Sequence, residues 1–335
     1  MHSVSVRGRE IPVVPTRLSA RDILGGWKVR WSIGRNRSII TPGLYAVGTP
    51  TPESPVLVTA NYKLTFDKLR AELDGLDAWI VVLDTKGVNV WCAAGKGTFG
   101  TRELETRILA VRLDQVVSHR TLILPQLGAT GVSGPRVLKD TGWRVVFGPV
   151  RARDIPAFLS ADMKKDRRMR VVEFGLTDRL TVAPVELVQA WPFLLGTGAA
   201  SLLLALPFGP GYLRQLAGIA IPLLGAVLLG TIAVPALLPV LPFRAFSLKG
   251  AAIGLTWGII ASLVFRASFA GSLGFVLKAG AIAAFLAMNF TGATTFTCQA
   301  GAELEVKRGT IPMVVTFVLG VSLLVASRFA GGILQ

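Results

Sequence analysis

The residue best suited to unusual chemistry is Cys92, in the run Asn89-Val90-Trp91-Cys92-Ala93-Ala94-Gly95-Lys96. It is one of two cysteines, and the other, Cys298, stands in a stretch of quite different polarity, so a disulfide framework is not expected and a reducing compartment fits better. The run follows an apolar stretch and the turn Asp84-Thr85-Lys86-Gly87. Asn89 suits the N-cap of one or two helical turns that end at Gly95. Cys92 then lies in the first turn, where unpaired N–H groups and the helix dipole favour a thiolate. A lone cysteine is as readily a small buried hydrophobe, and composition alone favours that reading.

A second chemistry-bearing run is Pro125-Gln-Leu-Gly128-Ala129-Thr130-Gly131-Val-Ser-Gly134, with three glycines after a strand-like run and before a helix-like one. Its backbone N–H groups can approach an amide or phosphate closely, although an ordinary glycine-rich turn reads the same way. The histidines are His2 and His119.

These runs need elements to hold them. After Arg37, short apolar runs alternate with helical patterns: strands at 55–59, 78–83, 120–124, 143–147 and 170–174, and helices at 65–74, 102–113, 136–141 and 154–163. Buried parallel strands in βαβ units are the expectation, giving an α/β, Rossmann-like domain over residues 51–186 behind a basic N-terminal extension, 1–50. Ligands of such sheets sit beyond the carboxyl ends of the strands, here the loops 59–65, 85–98, 125–134 and 148–153.

Residues 1–186 carry 28 Lys+Arg against 18 Asp+Glu, whereas residues 187–335 carry 8 against 2 within long apolar runs. A mean hydropathy of +0.56 agrees with a membrane-embedded second half. Five spans are expected, at 187–206, 217–241, 250–267, 271–290 and 310–330, forming an all-α transmembrane domain over 187–335 with a polar loop near 289–310. Pro222, Pro235 and Pro239 predict kinks in the second span, and Gly196, Gly198, Gly225, Gly230, Gly254, Gly258, Gly271 and Gly274 predict close helix approach. Lys278 is expected to snorkel to the interface. The N-terminus has no apolar signal-peptide core, so the first half and the 289–310 loop are expected in the cytoplasm, below an inner membrane crossed several times.

The sequence pI near 10.7 does not make this a nucleic-acid binder, because its charges form no concentrated basic segment with interleaved aromatics. Membrane lipid is the better partner, with Lys164, Lys165, Arg167, Arg168 and Arg170 facing anionic headgroups. The spans hold no Asp or Glu to serve as a proton relay, which argues for an anchor or docking platform over a transporter.

The octapeptide around Cys92 resembles the signature of the HgcA family, the corrinoid methyl carriers of microbial mercury methylation. The following Gly97-Thr-Phe-Gly-Thr101 is similar to a segment in the large corrinoid subunit of the acetyl-CoA pathway, and Asn289-Phe-Thr-Gly-Ala-Thr-Thr-Phe-Thr297 is similar to a stretch near the end of family members. The resemblance covers most of the chain from about Thr59 and owes nothing to residues 1–50. It implies a cobalamin bound base-off, with a cap helix offering Cys92 as the lower ligand of cobalt. It further implies corrin contacts from Asn89, Val90, Trp91, Ala93, Ala94, Gly95, Lys96, Thr59, Thr65, Gly128, Ala129, Thr130 and Gly131. Trp91 and Val90 cover the corrin face, Asn89 caps the helix or tunes the thiolate, and Lys96 either supports the thiolate or faces water.

The D-x-H-x-x-G pattern of histidine-ligated corrinoid proteins is absent around His119, and two cysteines cannot make a four-cysteine cluster site. The resemblance therefore implies a ferredoxin-like partner with two four-iron four-sulfur clusters. As an expectation, methyl passes from a methyl-folate-type donor or its methyltransferase through methylcob(III)alamin to Hg(II), a soft electrophile that needs a methyl group of carbanion or radical character. A corrinoid methyltransferase for another acceptor, a metalloid or the acetyl-CoA pathway, and a non-enzymatic membrane sensor or transport protein remain the alternatives.

Overall fold

Arg7 and Gly8 both have positive φ, 49° and 78°, as a type I′ turn requires, and they fold β1 (Ser3–Val6) and β2 (Arg9–Pro12) into an antiparallel hairpin. The computed structural model describes residues 3–205, 212–297, 299–330 and 333–334. A reciprocal capping box between Ser19 and Asp22 then starts α1 (Ala20–Arg30). Next come β3 (Gly43–Val47), β4 (Val56–Ala60), α2 (Lys63–Ala71), β5 (Ala78–Leu83), α3 (Val90–Lys96), α4 (Thr101–Ala110), β6 (Thr121–Leu124), α5 (Gly134–Thr141), β7 (Arg144–Phe147) and α6 (Ile155–Ser160).

The five-stranded sheet runs β3-β5-β4-β6-β7, with β3 antiparallel to β5 and the other pairs parallel. Every residue of β4 and β5 is buried, as strands covered on both faces must be. Val56, Val58, Ala60, Val81 and Leu83 pack on one face with Ala93, Ala94, Phe99 and Leu104, while Leu57, Ile80, Val82 and Ile123 pack on the other with Phe66, Leu69 and Phe158. The parallel strands therefore reverse their winding between β4 and β6, and the carboxyl ends of those two strands border the crevice where doubly wound sheets take ligands.

Two expectations for this half are corrected. Residues 170–174 are not a strand: after a 3-10 turn at Arg168–Arg170 the chain runs irregularly, tied by Val150 N–H to the Met169 carbonyl and by Arg151 to the Glu173 carbonyl. Residues 1–50 are no mere extension, since they supply the sheet strand β3 and the core residues Ile11, Leu44, Ala46 and Val47.

The chain divides into two compact units, Met1–Glu173 and Phe174–Gln335, and the boundary expected near Glu186 falls within α7 (Leu176–Gln189) of the second. That unit continues through α8 (Trp191–Ala205), α9 (Tyr212–Leu228), a π-turn (Leu229–Ala233), α10 (Val234–Leu237), α11 (Phe246–Val264), α12 (Phe269–Asn289) and α13 (Gln299–Phe329). Among the described residues four stretches are long and apolar enough to cross a membrane: Tyr212–Leu237, Phe246–Val264, Phe269–Gly292 and Ala300–Phe329. The first of the five expected spans is not among them. Its apolar helix α8 is described only as far as Ala205, and the expected span reaches beyond the described residues.

Small residues seat α11 on α12. A Cβ on Gly254 would lie 2.4 Å from the Ala279 carbonyl and one on Gly258 2.5 Å from Val276 Cα. Gly225, Gly230, Gly271 and Gly274 are likewise crowded, whereas Gly196 and Gly198 face open space and do not mediate packing. Around the prolines, side chains provide carbonyl partners, Trp257 Nε1 to Pro222 O at 2.8 Å and Thr231 Oγ1 to Val227 O at 2.9 Å. Lys278 does not snorkel: it is 4% exposed, its ammonium 5.6 Å from the Phe317 ring. The polar loop near 289–310 is shorter than expected, because Ala, Glu, Lys and Arg are strong helix formers and α13 already begins at Gln299. Cys298 lies outside the described residues.

Candidate functional site

Cys92 is exposed and lies in α3, whose N-cap is Asn89: its side-chain oxygen accepts the Cys92 N–H at 2.9 Å. The helix ends one turn position later than expected. Gly95 is helical, and Gly97, at φ 79°, supplies the left-handed C-cap. The amides of Thr98 and Phe99 fold back to the Ala93 carbonyl. The seven-residue helix is two-faced: Val90, Ala93 and Ala94 are buried, whereas Trp91 (42% exposed), Cys92, Gly95 and Lys96 face outward. The buried-hydrophobe reading of Cys92 is thereby excluded.

The turn that feeds α3 is pinned from the end of β4. Asn61, buried just past that strand, accepts from the Thr85 amide (3.1 Å), the Thr85 hydroxyl (2.8 Å) and the Gly87 amide (3.0 Å). Its amide nitrogen donates to Asp84 Oδ1 at 3.3 Å. Lys86 and Gly87 both adopt positive φ, 58° and 72°, and the Thr85 hydroxyl closes the turn on the Val88 carbonyl at 2.7 Å. The Asp84 amide donates to Glu103 on α4, itself bridged to Arg107 at 2.8 Å. The Lys86 ammonium beside Asp84 holds that carboxyl below its ordinary range against the opposing effect of burial. Sequence reasoning missed Asn61 and Thr85. The available signal was an amide side chain one residue beyond a buried strand, where only a polar network can satisfy it.

The glycine-rich run sits beneath α3 and serves it. A Cβ on Gly128 would meet the Phe99 ring at 2.5 Å, and one on Gly131 would lie 2.1 Å from the Phe99 carbonyl and 3.0 Å from Ala94 Cα. These two glycines therefore admit the α3–α4 junction, with Phe99 fully buried as its plug, and the Gly131 carbonyl accepts the Thr101 amide at 3.2 Å. Ala129 is half-buried and Thr130 exposed. Lys165 is half-buried and donates to Gln126 in this run, so it is not free for lipid as expected, while Lys164, Arg167, Arg168 and Arg170 are exposed. Burial, foremost, and Arg170 push the Lys165 ammonium below its usual range.

Thr59 faces away from the Cys92 helix. Thr59 is buried in β4 and alternates with Val58 and Ala60, so it points to the α2 face of the sheet, opposite Ala93 and Ala94. Thr65 is half-buried in the first turn of α2. His119 accompanies the amino end of β6, its ring at 3.0 Å from the Ser54 carbonyl.

Residues 35–159 match the family described as CdhD, CO dehydrogenase/acetyl-CoA synthase delta subunit. Curated relatives include an acetyl-CoA decarbonylase/synthase complex subunit gamma of Methanopyrus kandleri, 34% identical over 136 residues, 40% of this chain and 28% of that protein. Its counterpart in Archaeoglobus fulgidus is 32% identical over 122 residues, 36% of this chain and 26% of that protein. The corrinoid/iron-sulfur protein large subunit of Moorella thermoacetica is 31% identical over 122 residues, 36% and 27% respectively. The chain thus spans about a quarter of the length of these relatives. The stretch from β3 to α6, which holds Cys92, is therefore related to the corrinoid protein family.

Proposed function

We propose that this chain is a membrane-anchored corrinoid methyl carrier in which the Cys92 thiolate is the lower ligand of cobalt and Hg(II) is the methyl acceptor. One observation carries the reading: an exposed thiol stands on the outer face of a short helix packed at the β4–β6 crevice, in a stretch related to corrinoid proteins. The residues present fit a corrinoid. The Cys92 thiol would serve as a soft ligand to a metal that the cofactor itself otherwise ligates, the exposed Trp91 would offer a broad apolar face, and Gly95 adds no side chain to obstruct it.

When bound, a corrinoid supplies a cobalt centre that takes up methyl as a cation equivalent and can release it as a carbanion equivalent. Asn89 fixes the thiol by holding the Cys92 amide, and Val90, Ala93 and Ala94 anchor the helix beneath it. As a ligand the Cys92 thiolate would be a stronger donor than an imidazole. Trp91 excludes water beside the sulfur, and Lys96 adds a positive charge on the exposed side. Thr65, Ala129 and Thr130 would offer contacts from the loops at the strand ends, while Gly128 and Gly131 seat α3 and Thr59 lies within β4. A ferredoxin-like protein with four-iron four-sulfur clusters supplies electrons and a methyl-folate-type donor supplies methyl, with the first unit in the cytoplasm beneath an inner membrane.

The second reading is methyl transfer within acetyl-CoA chemistry, favoured by the names of the relatives. Both are tested by Cys92→Ala and Cys92→His in the full chain. Cys92→Ala is expected to lose the sulfur-to-cobalt absorption and methylmercury formation. Cys92→His should keep corrinoid with reduced transfer. An unchanged visible spectrum and normal methylmercury formation in Cys92→Ala overturns the ligand, and methylmercury formation undiminished in cells lacking the gene overturns the acceptor.

A further inference from the structure

Helix α1 and the turn after it carry an apolar face that nothing in the first unit covers. Ile23, Leu24, Trp27, Trp31 and Ile33 are 50%, 61%, 62%, 40% and 61% exposed, although side chains of this size are normally buried. Their spacing at i, i+1, i+4 and i+8 sets the first four on one stripe of helix. The opposite side is the one that holds the helix down: Val29 is buried, and Asp22 pairs with Lys63 at 2.6 Å and with Arg70 at 2.9 Å on α2.

The charge around the stripe has one sign. Arg21, Lys28, Arg30, Arg35 and Arg37 lie within or beside it, and Asp22, the one acidic residue between positions 20 and 40, is committed to the α2 ion pairs. Indole and branched aliphatic side chains rimmed by Lys and Arg are the composition of a helix that lies in a bilayer interface, with its rings at headgroup depth and its cations among anionic lipid. Four stretches among the described residues of the same polypeptide are long and apolar enough to cross a membrane, so a bilayer would be held at high local concentration by the tether, and a modest lipid affinity is enough.

We propose that the α1 face, with Trp27 and Trp31 at its centre, docks the first unit on the surface of an anionic bilayer. The proposal is independent of the corrinoid reading and of the identity of the methyl acceptor.

The test uses the full chain in nanodiscs of phosphatidylcholine, alone or mixed with phosphatidylglycerol, with brominated acyl chains that quench nearby indoles. Subtracting the emission of a Trp27→Phe/Trp31→Phe variant from that of the unaltered protein isolates these two of the seven tryptophans. In anionic discs the difference emission is expected to be blue-shifted and quenched about twofold relative to unbrominated lipid. The triple variant Arg21→Glu/Lys28→Glu/Arg37→Glu should abolish both effects. The proposal is overturned if the two indoles emit as water-exposed in both discs, or if quenching survives the charge reversal. It is equally overturned if they become shielded only when a soluble acidic protein such as a ferredoxin is added, which would make this face a protein interface.

Discussion

The side-chain oxygen of Asn61 accepts both the amide and the hydroxyl of Thr85, at 3.1 and 2.8 Å, and so clamps the end of β4 to the turn that launches the Cys92 helix. The Gly87 amide shares the same oxygen at 3.0 Å. Removing it takes the acceptor of the Gly87 amide and leaves the Thr85 amide and hydroxyl only the Leu83 and Val88 carbonyls, a joint loss of ~1–3 kcal/mol. Asn61→Ala is therefore expected to lower the unfolding free energy of the detergent-solubilised protein by that amount. Hydrogen exchange should speed up over residues 84–92 first, and equal acceleration across the sheet would contradict the clamp.

Capping gives a second, smaller effect. Asn89→Ala removes the acceptor of the Cys92 amide, a loss of ~0.5–2 kcal/mol for an N-cap. Asn89→Ser should restore most of it, because a hydroxyl can accept the same N–H. Denaturant midpoints of the three proteins check the order, and identical midpoints would show that the cap contributes nothing.

The seat of α3 predicts unequal responses within four residues. Gly128→Ala and Gly131→Ala place a methyl into the Phe99 ring and the Phe99 backbone, and should destabilise by ~1–3 kcal/mol. Thr130→Ala, on the exposed side, should stay within about 0.5 kcal/mol of the unaltered protein. Thermal unfolding followed by tryptophan emission measures all three. A silent Gly131→Ala would mean that the run is free to move away from α3.

Acid should loosen the join between α1 and α2. Burial alone would raise the Asp22 carboxyl, but hydrogen bonds from Lys63, Ser19 and Arg70 outweigh it and hold the group below the ordinary carboxylate range. A depressed folded value means that the stabilisation is complete above the unfolded-state value, about 3.9, and is lost as pH falls below it. Asp22→Asn should therefore narrow the stability difference between pH 7 and pH 3 measured in the same detergent. A pH profile unaltered by the substitution would remove Asp22 from the acid response.

Legibility in the sequence followed burial. The runs at 56–60, 78–83, 121–124 and 144–147 are continuous and apolar because helices cover both sheet faces, so they announce themselves. Val171 and its neighbours look alike in composition, yet Val171 is 52% exposed and pairs with no strand; an apolar run shows what can be buried, and only the fold supplies a partner. Strand β3 is five residues between Pro42 and Gly48, and the Pro and Gly on its two sides make that stretch read as turn. At the site, Asn89 as the cap was readable from residue type, but the second glycine past Cys92 ends the helix, since Gly97 alone takes the left-handed conformation. Gly128 and Gly131 were readable as close approach and not as approach to what: the neighbour is Phe99, distant enough in sequence that spacing does not reveal it.

Helix α13 is 31 residues long, about 46 Å at ~1.5 Å per residue, and so exceeds a hydrocarbon core of roughly 30 Å by several turns. Its opening stretch carries the charges Glu303, Glu305, Lys307 and Arg308. Glu305 ties that stretch to α11 by accepting the Ser247 amide in its first turn. Pro312, just beyond Gly309, lacks the N–H for one rung of the helical ladder. The two parts of α13 are thus fastened in different ways, the charged part by a side-chain contact to α11 and the apolar part by backbone approach to α12, where a Cβ on Gly320 would meet the Lys278 amide nitrogen at 2.8 Å.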